Sequence, residues 1–71
     1  MTITYELTTA QRDALEALID ASTLGSVVAA LSEIAAEKAD HIRVNWQDAQ
    51  AARPWERASN ALYTASTKID I

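Results

Sequence analysis

The stretch TLGSVVAALSEIAAEKADHIRVNW, residues 23–46, decides the fold class. Leu24, Val27, Val28, Leu31, Ile34, Ala35 and Ile42 recur within it at steps of three and four, the signature of one buried helix face. No proline interrupts the run, and the stretch's one glycine, Gly25, lies in the link before it, with Thr23 or Ser26 as the cap of the first turn. The pattern predicts a long helix over about residues 24–46. Val44 lies off the stripe, roughly 200° round from Ile42 at 100° per residue, so the end of this helix has a second apolar face.

Two shorter helices flank it. Upstream, Thr8 and Gln11 have the spacing of a capping box, and Leu15, Leu18 and Ile19 follow as an apolar stripe opposed by Asp13, Glu16 and Asp20. They predict a first helix over about residues 8–22. Downstream, Trp55, Ala58, Leu62, Ala65 and Ile69 keep the helical period. Pro54 suits a first turn, where its missing N–H costs nothing, so the third helix is expected over about residues 54–68. Asp48 is the alternative cap, with residues 47–53 forming an irregular or separate turn.

The whole reads as one all-α, three-helix domain over residues 1–71. One glycine and one proline are too few for the corners of a small β-domain. TITYEL at residues 2–7 and KIDI at residues 68–71 alternate in the manner of short strands able to pair across subunits. Disordered or loosely packed ends are the preferred expectation, since terminal residues are poorly ordered unless tied down.

Fifteen of the residues are alanine and none is phenylalanine, so large side chains for a core are few. Without cysteine there is neither disulfide nor thiolate metal site to staple so short a domain. Burial in a homo-oligomer is the route left. The start lacks the basic and apolar regions of a signal peptide, and no run approaches a membrane span, so a soluble, cytoplasmic chain is expected.

The net charge of −4 is uneven. Residues 41–57 carry Arg43, Arg53 and Arg57 against Asp48 and Glu56, or +1; the remainder is −5. That balance weighs against nucleic acid, whose phosphates need clustered Lys and Arg, and against a helix-turn-helix reading of the three helices. A local basic patch can still hold one anionic molecule.

The same segment concentrates the polar and aromatic chemistry. Arg43, Asn45, Trp46 and Gln47, with Trp55 and Arg57 beyond the turn, are the residue types of an anion-and-base pocket. Indoles stack on planar rings, and arginine forks match phosphate oxygens. The competing reading makes both tryptophans core anchors and pairs the arginines with Glu37, Asp40, Asp48 or Glu56.

Other chemistry is thinner. Glu33, Glu37 and His41 share a face at four-residue steps, as a metal-binding row or an ordinary solvent face. Asp13/Glu16 and Glu37/Asp40 loosely resemble the acidic pairs of all-α magnesium-dependent nucleotide pyrophosphatases, although the first pair departs from the ExxE pattern. No nucleophile–base pair, phosphate cradle or cofactor motif is present.

Residues 37–57, EKADHIRVNWQDAQAARPWER, resemble the core of a set of short bacterial and prophage-type helical proteins, with the pattern EKAxHIRxNWQD followed by AxxWERA. Pro54 departs from that pattern, which expects a helix former there. The resemblance implies a stable small helical fold and brings no activity with it. In size and composition the chain is also similar to small oligomeric phage proteins that sequester nucleotide immune signals or occlude a host defence complex. A non-enzymatic oligomer holding a nucleotide-like ligand through Arg43, Asn45, Trp46, Gln47, Trp55 and Arg57 is therefore the expected function. The alternatives are a module binding a host protein through the Trp46/Trp55 surface and the acidic-pair hydrolase.

Overall fold

The computed structural model describes residues 6–71, and 80% of these are helical with no strand among them. Three helices follow in order: α1 (Thr9–Ala21), α2 (Leu24–Asn45) and α3 (Ala49–Ser66).

The caps explain where each begins. Thr8 accepts from the backbone N–H of Gln11 at 3.1 Å, and the Gln11 side chain accepts from the Thr8 N–H at 2.9 Å, completing the expected capping box. The hydroxyl of Thr23 accepts from Ser26 N–H at 3.0 Å and starts α2. Asp48 accepts from Ala51 N–H at 3.0 Å and starts α3.

That last cap corrects the expected start at Pro54. The helix begins at Ala49, and Pro54 lies in its interior. There it withholds the N–H that would bond to the Gln50 carbonyl, a defect worth about 3 kcal/mol in a helix interior. The Asp48 cap, together with burial of Ala52 ahead of the proline, carries α3 through this position.

The link of residues 46–48 is short enough to force α2 and α3 antiparallel. Gln47 takes the left-handed conformation just past the C-cap, φ 51°, the usual way to end a helix and reverse the chain. Between the two helices Ser32 donates to the Ser59 carbonyl at 2.9 Å, and Ser59 donates to the Ser32 carbonyl at 2.9 Å. Antiparallel helices of equal rise then place Ala39 opposite Ala52, seven residues along in each direction.

Among the described residues the buried ones are Ser32, Ala35, Ala39 and Ala52, all small. The α2–α3 contact is thus a tight seam of serine and alanine, closed at its centre by the paired hydroxyls. This revises part of the buried face expected for α2: Ala35 is buried and Leu24, Val27, Val28 and Ile42 are half-buried as expected. Leu31 and Ile34, counted in the stripe, are exposed, and the seam runs to one side of them. Hydropathy periodicity weights large side chains, whereas close approach of two helix backbones selects small ones.

Between α1 and α2 the chain turns by 118°. Leu15 and Ile19 of α1 are half-buried, Leu18 is exposed, and α1 has no fully buried residue. Beyond α3, residues 69–71 form no strand, and Asp70 and Ile71 are exposed as loosely packed ends would be, but the last carbonyl is tied back to α2. The N–H of Gly25, free in the first turn of α2, donates to the Ile71 carbonyl at 2.6 Å. A Cβ at Gly25 would stand 3.3 Å from that oxygen, so the absence of a side chain permits this approach. The strand expected from TITYEL falls largely on residues outside the described range. Among the described residues no single helix is long and apolar enough to cross a membrane.

Candidate functional site

The seam divides the surface of the α2–α3 hairpin into two flanks. On one, Ala36, Ala39, Asp40 and Arg43 of α2 face Glu56, Ser59 and Asn60 of α3. Arg43 occupies this flank, paired with Asp40 at 3.4 Å and with Glu56 across the helices. A guanidinium held between two carboxylates has its charge answered within the chain. These are two of the partners that the structural reading of the arginines assigned. All three side chains remain substantially exposed, so the pairs are worth about 1 kcal/mol or less each.

The other flank carries an open groove of about 520 Å³, lined by Ile34, Glu37, Lys38, His41, Ile42 and Trp55. The α2 residues fall here because their 3.6-residue spacing keeps them on one side of the Ser32–Ala39 face. Its floor is apolar, from Ile34, Ile42 and the indole of Trp55. The Lys38 ammonium stands 5.8 Å from the Trp55 ring centre, a cation–π placement. The Asn45 amide nitrogen lies 2.8 Å from His41 Nδ1. An amide NH₂ only donates, so Nδ1 accepts, and in the neutral ring the proton sits on Nε2.

Ile42 extends the apolar surface into a smaller cleft formed with Trp46, Asp48 and Ala51. Trp46, at 73% exposure, is one of the two most exposed large apolar residues described, and Trp55 and Ile34 are 39% and 47% exposed. Neither tryptophan is a core anchor.

The six expected ligand-binding residues are therefore distributed rather than gathered. Trp55 lines the main groove, and Trp46 lines the adjoining cleft. Asn45 touches the groove only through His41. Gln47 serves the turn as the left-handed residue. Arg43 is on the opposite flank, and Arg57 is exposed without an ion pair among the described residues. Arg43 is separated from Trp55 by the seam, and Arg57 lines neither the groove nor the cleft. The groove's cation is Lys38, which the sequence reading passed over; its step of four from Ile34 and three to His41 was the available signal.

The metal and hydrolase readings meet the same geometry. No three His, Asp or Glu side chains among the described residues converge to hold a metal ion. Asp40 is taken by Arg43, and Glu37 lies in the groove. The turn of 118° also keeps α1 and α2 from the antiparallel arrangement that facing acidic pairs require.

Comparison of the chain with protein-family models, with curated proteins and with solved structures gave no match in any of the three.

Proposed function

We propose that this protein is a non-catalytic interaction module. Its groove and cleft, from Ile34 through Ile42 and Trp55 to Trp46, receive an apolar helix face of a protein partner. The observation that carries this reading is the exposure of large apolar side chains beside a seam built only of small ones. Contiguous apolar surface left open on so small a domain marks an interaction site. Its shape, a trough between antiparallel helices with a polar rim of Glu37, Lys38 and His41, is that of helix-in-groove recognition.

A second reading rests on Lys38 and His41 in the wall of the groove: a small anionic molecule of the nucleotide kind, stacked near Trp55. The volume lies within the range of ligand pockets, roughly 300–1,000 Å³. Glu37 in the same wall opposes an anion, and Lys38 already covers the indole, so the protein partner is the better account.

Replacing Ile34 with a photo-crosslinking phenylalanine analogue in cells tests both. The module reading expects an irradiation-dependent adduct whose formation falls sharply when Ile42→Glu is added. No protein adduct from position 34, with a nucleotide-sized mass retained in native mass spectrometry, would replace it with the ligand reading.

A further inference from the structure

We infer that the partner seated on this groove is a second copy of the chain, two hairpins packing groove to groove as a four-helix bundle. The inference rests on the interaction reading and names its occupant. It draws on surface area, on the shape of the open face and on its charge pattern.

Area comes first. A compact monomer of 7.7 kDa exposes about 4,300 Å², whereas this chain exposes 5830 Å². With about 900 Å² set aside for the five residues outside the described range, the chain still exposes roughly 900 Å² more than expected. One side of a standard protein interface is about 800 Å². The surplus is the size of one partner's contribution to a dimer.

The open face supplies the shape. It carries apolar side chains from both helices, Ile34 and Ile42 from α2 and Trp55 from α3. A two-helix hairpin covers only one stripe on each helix. Two such hairpins laid face to face bury the second stripe on all four helices, the arrangement of a four-helix bundle. At 22 residues α2 is about 33 Å long, enough for this contact to run over several turns.

Charge gives the specificity. A two-fold interface must be self-complementary, because the same patch lies on both sides. Glu37 and Lys38 adjoin each other in the groove wall, so a two-fold axis between them sets each Glu37 against the other copy's Lys38. A patch of one sign would repel its own copy. This one does not, although the chain as a whole is at −4.

The test exploits that pairing. The parent should sediment at twice the 7.7 kDa chain mass at micromolar concentration. Lys38→Glu and Glu37→Lys each place like charges across the axis and should weaken their homodimers several-fold while leaving helix content unchanged. An equimolar mixture of the two variants should form heterodimers in excess of the statistical half, tighter than either variant alone. A parent monomeric at 100 µM overturns the inference. So does a dimer of undiminished affinity in both variants with no heterodimer preference, since the copies would then meet through another face. Failure here leaves the module reading standing if position 34 crosslinks in cells to a different protein, so the two can fail separately.

Discussion

Replacing Ser32 and Ser59 by alanine, singly and together, probes the seam that joins α2 to α3. Each hydroxyl donates to the other residue's backbone carbonyl at 2.9 Å, and the two oxygens lie 3.3 Å apart. A hydroxyl has one proton, and both protons are committed to carbonyls, so the oxygen–oxygen contact is proximity without a bond. Ser32→Ala therefore removes one hydrogen bond, worth about 0.5–1.5 kcal/mol net. It orphans no acceptor, because the Ser59 carbonyl lies inside α3 and keeps its helical partner. Ser59→Ala should cost a similar amount. With nothing shared between the two bonds, the double variant should lose about 1–3 kcal/mol, additive to within about 0.5 kcal/mol. Thermal unfolding followed by circular dichroism at one fixed chain concentration reads this as about 4–8 °C per kcal/mol. A coupling above about 1 kcal/mol would refute the assignment, since the hydroxyls would then bond to each other. A double variant as stable as the parent would show that the seam contributes nothing through its serines.

Other substitutions test the helix ends and the proline. Pro54→Ala restores an interior N–H and should stabilise by about 1–3 kcal/mol, less than the full proline penalty because the unfolded chain also gains freedom; a lower melting temperature would show that the ring makes a contact that matters. Gln47→Gly removes the steric cost of the left-handed conformation and should raise stability by about 1 kcal/mol in urea unfolding, whereas Gln47→Val should lower it. Asp48→Ala deletes the α3 cap and should cost about 1 kcal/mol, with Asp48→Asn recovering most of it; equal loss in both variants would point to a role other than capping.

Much of the architecture was legible because its signals are local. The Thr8–Gln11 box is read from spacing alone, and the start of α2 is narrowed in the same way to a cap at Thr23 or Ser26, whereas the short link after Trp46 emerges only once α3 is seen to begin at Ala49. Pro54 misled because proline is so common at the first turn, and Asp48, three residues before Ala51, was the better cue. The buried face of α2 was hidden for another reason. Alanine and serine carry almost no hydropathy contrast, so of the seam residues only Ala35 stood out by its spacing, while Ser32 and Ala39 are silent beside Leu31 and Ile34.

The candidate site was half legible. Sequence proximity grouped Arg43 with Trp46 and Trp55, but the helix rotation that puts Trp55 with Lys38 sends Arg43 to Glu56 on the far flank. Which flank a residue occupies depends on where the seam lies, and that was the part the sequence concealed. Ile34, Lys38 and His41 therefore went unread as one surface. The same concealment explains why the tryptophans looked eligible as core: only the seam's position reveals that the large side chains stand outside it.

The most direct measurement of the central claim is an isotope-filtered NOE spectrum of a mixture of labelled and unlabelled chains, in which only contacts between copies appear. The groove-to-groove account predicts intermolecular cross-peaks linking Ile34 and Ile42 methyls to the Trp55 indole of another copy, at a tumbling time appropriate to twice the chain mass. No intermolecular peaks at these residues, or peaks confined to Arg43, Glu56 and Asn60 on the opposite flank, would contradict it.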